Sequence, residues 1–153
     1  VGTVFQKLLD IVGPTQAYFG EKDFQQLQII KKLVKMTKAN VKIIACSIER
    51  EPNGLAMSSR NTRLTTAERF HASKIYDVLK TTKGKFSDTP LDEITQWVAD
   101  QFEKDAIINL EYFEISEQLT LQPAKKIEPQ KKYRAFISAY IRNIRLIDNI
   151  ALN

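Results

Sequence analysis

The sequence predicts an α/β protein in which part of a doubly wound parallel sheet is followed by a small α+β domain with a short antiparallel sheet. Two short apolar runs, residues 16–19 and 41–46, flank an amphipathic helical pattern, and this order is typical of a right-handed parallel crossover. After residue 90 the pattern changes to one helix and then three runs rich in aromatic and β-branched residues. Only a dipeptide separates the last two runs, which predicts an antiparallel hairpin.

The first part of the chain predicts two helices alternating with the two strands. One helix covers residues 3–12 and ends at Gly13-Pro14, and the other runs from about residue 23 to residue 38. Each has the period of an amphipathic helix with one apolar face toward a core. The predicted core residues are Val4, Leu8, Ile11 and Val12 on the first helix, and Phe24, Leu27, Ile30, Leu33 and Val34 on the second.

The second part opens with Thr65-Thr66-Ala67-Glu68, a capping box that predicts a helix to about residue 79. Its predicted core side is Phe70, Ile75, Val78 and Leu79. Residues 81–89 then predict a linker, after which Thr89 and Pro90 predict the start of a helix that continues to Phe102. We divide the chain into a partial nucleotide-binding type of domain at residues 1–62 and a small α+β lid domain at residues 63–153.

Three strands are predicted at residues 110–115, 133–141 and 144–150. Between the last two, Arg142-Asn143 is short enough for a tight turn, and asparagine tolerates a left-handed backbone better than most residues. We therefore expect Asn143 to take the positive φ of this turn.

Composition excludes several classes of protein. With 43% apolar and 27% charged residues, the chain is typical of a globular protein, and no run approaches the roughly 20 apolar residues of a membrane helix. We therefore expect a cytoplasmic protein without a membrane partner. The one cysteine, Cys46, excludes an internal disulfide, and its place in an apolar run predicts an inert thiol. His71 has no ligand partners at metal spacing, which predicts a structural or solvated histidine.

A net charge of +5 raises the possibility of a nucleic-acid partner. The lysines form two groups, and the first is the polar face of the second helix. The second group lies in a proline-containing loop without interleaved aromatic residues for base stacking. We therefore expect solvated lysines and no nucleic acid. The two groups are Lys31, Lys32, Lys35 and Lys38, and Lys125, Lys126, Lys131 and Lys132.

Two stretches have the composition of a phosphate site. Gly20-Glu21-Lys22-Asp23 follows a strand and opens a helix, whose N-terminus offers unpaired N–H groups and a partial positive charge to an anion. Residues 54–61 follow the second strand and predict a mobile loop with two hydroxyls, Ser58 and Ser59, and the planar fork of Arg60. Ligands of open parallel sheets lie beyond the carboxyl ends of strands, so both stretches are expected at one crevice.

Each stretch also has a purely structural interpretation. On this interpretation, Asp23 is an ordinary N-cap of the helix, and Gln26 is a solvated helix position one turn further along. A polar loop with one arginine is most often only solvated. The two stretches together favour the phosphate site.

The order of these stretches resembles the pantoate–β-alanine ligase family over essentially the whole chain. Five separated blocks carry the resemblance, and the last is Arg145-Leu146-Ile147-Asp148-Asn149. Enzymes of the family begin with a half that contains a His-x-Gly-His loop, which this chain lacks. The chain therefore resembles the C-terminal part of such an enzyme. The five blocks are residues 1–14, 17–23, 50–61, 112–115 and 145–149.

The resemblance implies a function for particular residues. The family adenylates pantoate with ATP and then transfers the pantoyl group to the amine of β-alanine, which releases AMP. Gln26 is implied in pantoate binding, and catalysis is implied for Lys22, Ser58, Ser59 and Arg60. At Glu49 the family usually has a small apolar residue whose backbone meets the adenine. The implied ATP-binding residues are Gly20, Glu21, Lys22, Asp23, Glu49, Met57, Ser58, Ser59 and Arg60.

The resemblance also implies Mg²⁺ with the ATP, with the metal ligands expected upstream of Val1, and a homodimer. No metal ligand is assigned within this chain. Two alternatives remain open: a nucleotidyl transferase that acts on another substrate, and a non-enzymatic basic module that binds RNA or protein. On the ligase interpretation, this chain alone is expected to be inactive.

Overall fold

A computed structural model describes residues 2–153 of the chain. The chain divides into two compact units, an N-terminal unit that ends at Ile48 and a C-terminal unit that covers Glu49–Asn153. The first contains a parallel sheet and the second an antiparallel one, which confirms the predicted α/β class. Among residues 2–153, no helix has both the length and the apolar character needed to cross a membrane.

The N-terminal unit is one parallel crossover. Strands β1 and β2 pair in parallel, with Gln16 opposite Lys42 and Gly20 opposite Cys46, as the strand–helix–strand pattern predicts. Cys46 is half-buried, with a free thiol. The elements are helix α1 (Gly2–Val12), strand β1 (Gln16–Gly20), a 3₁₀ turn (Glu21–Asp23), helix α2 (Phe24–Thr37) and strand β2 (Lys42–Cys46).

Helix α2 buries three of the five residues predicted to face a core and leaves Leu33 and Val34 half-buried, whereas helix α1 buries none of its four predicted residues. Phe24, Leu27 and Ile30 are buried on α2. The residues predicted to face the core on α1 are exposed, and Leu9 is buried instead, so that prediction is wrong. Periodicity defines an apolar face, but burial also requires an opposing element, and the described residues provide none there. The exposed residues are Val4 (66%), Leu8 (51%), Ile11 (81%) and Val12 (68%).

The C-terminal unit packs helices on a three-stranded antiparallel sheet of order β3-β4-β5. Helix α4 contacts β4 and β5, while α5 contacts β3. The elements are a 3₁₀ turn (Ser59–Arg63), helices α3 (Thr66–Ala72), α4 (Lys74–Lys85) and α5 (Leu91–Glu103), and strands β3 (Ile108–Glu117), β4 (Tyr133–Ile141) and β5 (Ile144–Ala151).

The core of this unit follows the two structural periods. Along β4, alternate residues from Ala135 to Ile141 are buried, and α5 buries Ile94, Val98 and Phe102 at helical spacing. These side chains belong to one hydrophobic cluster. The α+β interpretation of the second half is therefore confirmed.

The predicted capping box is present at the start of α3. The Thr65 hydroxyl accepts from Glu68 N–H at 3.2 Å, and the Glu68 carboxylate accepts from Thr65 N–H at 2.8 Å. The helix was expected to run unbroken, but a new helix starts after Ser73. Phe70, predicted in the core, is 74% exposed, so that assignment is wrong.

The predicted linker at residues 81–89 is wrong in its first half, because α4 continues to Lys85. Thr82 and Phe86 are buried and extend the face that begins with Ile75, Val78 and Leu79. Their spacing continues the helical period. Gly84 lies within the predicted linker, but in the structure it is part of the last turn of α4 and does not end the helix.

The turn between β4 and β5 contains Arg142 and Asn143, since Ile141 pairs with Ile144. The left-handed residue is Arg142, at φ 53°, and not Asn143 as predicted. The Arg142 guanidinium donates to the Glu68 carboxylate (2.7 Å) and to the carbonyl oxygen of Arg63 (3.1 Å). These contacts stabilise a backbone conformation that arginine alone disfavours.

The compact units and the predicted domains assign residues 49–62 differently. The sequence placed these residues with the first domain, whereas their polar contacts place them in the C-terminal unit. Arg50 pairs with Asp148, and the Arg69 guanidinium donates to the carbonyl oxygen of Asn61 at 2.8 Å. The domain bounds at 62 and 63 stay a prediction.

A buried carboxylate, Asp105, joins α4 to the start of β3. Its side chain is 5% exposed and accepts from Lys74 Nζ at 2.6 Å and from the N–H groups of Ile107 and Ile108 at 3.0 Å. His71 Nε2 lies 3.0 Å from it, so this histidine is structural, as expected. Burial raises the pKa of Asp105, but the bonds from Lys74, Ile108, Ile107 and His71 outweigh it and hold the pKa well below its ordinary value.

Replacing Asp105 with alanine is expected to lower the free energy of unfolding by about 2–4 kcal/mol, because buried donors and the Lys74 ammonium lose their acceptor. Urea unfolding followed by the fluorescence of Trp97 measures this change. The control is Asp77→Ala, whose carboxylate is 61% exposed in its pair with Lys80 and whose loss should cost less than about 0.5 kcal/mol. Equal effects of the two changes would contradict the prediction.

The free energy of unfolding should also fall in acid, because the Asp105 carboxylate becomes protonated and loses its stabilising contacts. Its pKa is lower in the folded chain, so its stabilising effect is complete above the ordinary value of 3.8 and is lost as the pH falls below it. The difference in unfolding free energy between the unmodified chain and Asp105→Ala should therefore shrink below pH 3.8. A difference that stays constant down to pH 2 would contradict this expectation.

Candidate functional site

The first candidate segment covers residues 20–26 at the end of β1. Gly20 has φ −68° and ψ 135°, so it does not need the conformational freedom of glycine. A Cβ added there would meet no atom within 4 Å. The glycine therefore leaves open space at the carboxyl end of the strand, where a ligand can approach the backbone.

Glu21, Lys22 and Asp23 form the 3₁₀ turn that leads into α2. Glu21 and Lys22 are half-buried, and Asp23 is exposed. Asp23 occupies the N-cap position of α2, yet its side chain makes no capping hydrogen bond. The interpretation of Asp23 as an ordinary N-cap is therefore wrong, and its carboxylate is exposed beside the N–H groups of the helix start.

Gln26 is exposed on the first turn of α2. Within residues 2–153 its amide makes no hydrogen bond. An amide in this position offers both a donor and an acceptor to a polar ligand. Its assignment to pantoate stays a prediction.

The second candidate segment covers residues 49–63 in the C-terminal unit. Its first part is a short turn closed by an isolated antiparallel β-bridge between the backbones of Arg50 and Ala56. Met57 N–H donates to the carbonyl oxygen of Glu49 at 2.9 Å, so two of the predicted ATP-binding residues are neighbours. Within this turn, the side chains of Leu55 and Ala56 are buried.

The second part of the segment is the 3₁₀ turn Ser59–Arg63. The Ser58 hydroxyl accepts from Arg60 N–H at 3.2 Å. Asn61 is buried, and its amide donates to Glu51 Oε1 (2.8 Å) and to the carbonyl oxygen of Ala56 (3.1 Å). The expectation of a mobile loop is wrong in this respect, because the segment is tied to its own backbone and to the unit beneath it.

The segment presents its predicted ligand-binding side chains outward. Met57 is 55% exposed, Ser59 and Arg60 are exposed, and Ser58 is half-buried. Within residues 2–153 the Arg60 guanidinium makes no ion pair or hydrogen bond. A fixed backbone that holds an uncompensated guanidinium and two hydroxyls in solvent is suited to an anionic ligand.

Sequence analysis assigned no role to Arg50 or Asp148. The Arg50 guanidinium donates to both carboxylate oxygens of Asp148, at 2.6 and 3.0 Å, and to the carbonyl oxygen of Gly54 at 3.0 Å. It also lies 3.6 Å from the ring centroid of Tyr76. Residues 50–61 and 145–149 carried the family resemblance, but nothing in the sequence shows that one block binds the other.

The two candidate segments lie in different compact units. The expectation that Lys22 and Arg60 face one ligand therefore stays a prediction. Among residues 2–153, no group of three or more His, Cys, Asp or Glu side chains can hold a metal ion.

Comparison with known proteins identifies the family. A family model described as "Pantoate-beta-alanine ligase" matches residues 1–151. The pantothenate synthetase of Flavobacterium psychrophilum is 53% identical over 152 residues, which are 99% of this chain and 54% of that protein. That of Christiangramia forsetii is 50% identical over 153 residues, with the same 54% of the relative covered.

Solved structures give the same result. Pantothenate synthetase from Thermus thermophilus matches with a TM-score of 0.89 at 28% identity, over 99% of this chain and 54% of that one. A Francisella tularensis pantoate-beta-alanine ligase, complexed with beta-gamma ATP and beta-alanine, matches with a TM-score of 0.69 at 36% identity, over 99% and 49% of the two chains.

The chain thus spans about half the length of the relatives it matches. Within that span the match includes both compact units and both candidate segments. On this evidence the chain belongs to the pantoate-beta-alanine ligase family.

Proposed function

We propose that this chain supplies the ATP-clamping part of a ligase that joins pantoate to β-alanine. In the first step a pantoate carboxylate oxygen attacks the α-phosphorus of ATP, the bond to the β-phosphate breaks, and pyrophosphate leaves. In the second step the amine of β-alanine attacks the acyl carbon, loses a proton, and displaces AMP. The observation that carries the proposal is the exposed, uncompensated Arg60 on a fixed segment, in a chain of this family.

The first segment is proposed to bind ATP through Gly20, Glu21, Lys22 and Asp23. The open space at Gly20 lets a phosphate approach the backbone, and the nearby start of α2 favours an anion. The exposed Asp23 carboxylate is suited to accept from ribose hydroxyls. The amide of Gln26, one turn further, is proposed to bind the hydroxyls and carboxylate of pantoate.

The second segment is proposed to cover the nucleotide. The backbone of Glu49 is assigned to the adenine, and the Met57 N–H donates to its carbonyl oxygen at 2.9 Å. Ser58 Oγ accepts from Arg60 N–H, so its own hydroxyl hydrogen is available to donate to a phosphate oxygen. Ser59 offers a second hydroxyl beside it.

Adenylation builds negative charge on the α-phosphate oxygens and on the leaving pyrophosphate. Lys22 and Arg60 are proposed to offset that charge, which makes positioning and electrostatic stabilisation the source of the rate. Neither step needs a covalent intermediate with the protein. Mg²⁺ is proposed to accompany ATP, and its protein ligands are assigned outside this chain. Among residues 2–153, no group of three or more His, Cys, Asp or Glu side chains can hold a metal ion.

The alternative of a basic binding module receives less support. Lys131, one of the clustered lysines, lies 3.0 Å from Glu128 and 3.6 Å from Glu117, and the bond to Glu128 raises its pKa. Part of the positive charge is therefore neutralised locally. A nucleotidyl transferase with another substrate would use the same ATP-binding segments. The two functions are distinguished by replacing Gln26 and measuring the activity of the variant with pantoate as the substrate. The homodimer and the cytoplasmic location stay predictions.

Lys22→Ala and Arg60→Ala should each slow adenylation by about 10²-fold, the scale of a lost transition-state donor. The measurement is pantoate-dependent exchange of pyrophosphate into ATP in a chimera, in which this chain replaces the matched part of the Flavobacterium psychrophilum enzyme. Arg63→Ala is the matched control, since its side chain is another exposed arginine of the same segment. If Lys22→Ala and Arg60→Ala keep their exchange activity while Arg63→Ala loses it, the assignment of Lys22 and Arg60 to the phosphates is contradicted.

The chain by itself should have negligible ligase activity and at most weak affinity for ATP. The proposed metal ligands and most of the pantoate and β-alanine pocket are assigned to the part of the relatives that this chain does not cover. Pantothenate formation by the purified 153 residues, with the chimera as the positive control, tests this expectation. Turnover at the rate of the chimera would contradict it.

A further inference from the structure

The Arg50–Asp148 pair is largely removed from solvent: the Arg50 side chain is 17% exposed and half-buried, and the Asp148 side chain is 3% exposed and buried. Removing two charges from water is costly, and an apolar pair of similar size often stabilises a protein as well or better. The pair is therefore weak evidence of stabilisation, and its distinctive contribution is the geometry that it imposes. Its two parallel bonds fix the plane of the guanidinium as well as its position.

Three separate elements meet at this guanidinium. Asp148 lies on β5, Tyr76 lies on α4 beneath the guanidinium plane, and the Gly54 carbonyl belongs to the turn of the second segment. The remaining Asp148 acceptor capacity is also used, since Oδ1 accepts from Asn149 N–H at 2.8 Å. Arg50 therefore links the turn to the helix and the sheet of the unit.

The turn itself lies tightly against Tyr76. Gly54 has φ +93°, and a Cβ added to it would lie 2.7 Å from Tyr76 Cδ1. Only glycine allows both this backbone conformation and this approach. The Tyr76 ring thus lies between the turn on one side and the guanidinium on its face.

The position of Arg50 is transmitted to the ligand-binding residues through the backbone. Arg50 forms a bridge with Ala56, and the next residue, Met57, donates to Glu49. Asn61 returns to the same turn with its bond to the Ala56 carbonyl oxygen. A shift of the Arg50 backbone therefore moves both ends of residues 57–60, the part of the second segment that contains Arg60.

We infer that Asp148 is a positioning residue for adenylation: through Arg50 it sets where the second segment holds Arg60. This inference rests on the proposed function, because Arg60 matters only if it meets the phosphates of ATP. Asp148 itself is buried, so no direct contact with the ligand is assigned to it. Loss of the Asp148 charge leaves a half-buried arginine without a counter-ion, free to leave the plane that the bidentate bonds impose.

The first experiment measures the segment itself in the 153-residue chain. Asp148→Asn keeps the size of the side chain and removes its charge. Hydrogen exchange should become about 10-fold faster at the amides of Glu51, Gly54 and Met57, which are bonded within the turn. Asp105→Ala is the control, because it removes another buried carboxylate of the same unit that does not contact the segment. Unchanged exchange in Asp148→Asn overturns the inference.

The second experiment measures catalysis in the chimera described above. Asp148→Asn should lower kcat/KM for ATP in pyrophosphate exchange by about 10- to 100-fold, the effect of misplacing a catalytic group by about 1 Å. The KM for β-alanine should not change. Arg50→Lys should behave like Asp148→Asn, because lysine keeps the charge but not the planar fork.

A double-mutant cycle separates positioning from general destabilisation. If Asp148 acts through Arg60, Asp148→Asn should cost little further activity when Arg60→Ala is already present. Additive losses would show that Asp148 acts on the whole unit, and they overturn the inference. An unmodified chimera without pantoate-dependent exchange overturns the proposed function, and with it any catalytic role for Asp148, while hydrogen exchange still reports whether Asp148 holds the segment.

Discussion

One ion pair, Arg50–Asp148, joins the exposed segment of the C-terminal unit to its helix and its sheet. Arg50 donates both of its terminal nitrogens to Asp148 and stacks on Tyr76, so one guanidinium is bonded to β5 and packed on α4. A surface pair would be too weak and too mobile for this purpose, because solvent screens it. Burial makes the pair directional and makes the loss of either partner costly.

As proposed anion sites, the two candidate segments differ in what they offer a ligand. The first has no side chain at Gly20 and lies at the start of a helix, so its backbone is the proposed binding surface. The second uses side chains on a backbone that is bonded to itself, with Asn61 buried beneath it and Arg60 exposed. Because its backbone is already bonded, the second segment would lose less backbone entropy on binding the proposed ligand.

Local signals predicted most of the fold. The capping box at Thr65, the strand at residues 133–141 and the parallel crossover were all predicted, because each depends on residues close in sequence. Predictions that required knowledge of neighbouring elements were wrong. The face of α1 and the side chain of Phe70 are exposed, and Arg142 takes the left-handed backbone because its guanidinium binds Glu68.

The sequence by itself determined the fold class, the family and the composition of both candidate segments, since these follow from local patterns and from the order of motifs. Only the tertiary structure decided which arginine is paired and which is exposed. Arg50 and Arg60 are chemically identical, but Asp148 on β5 pairs with Arg50, and no described acid forms an ion pair with Arg60. That pairing joins residues 98 positions apart, a distance over which sequence periodicity contains no information.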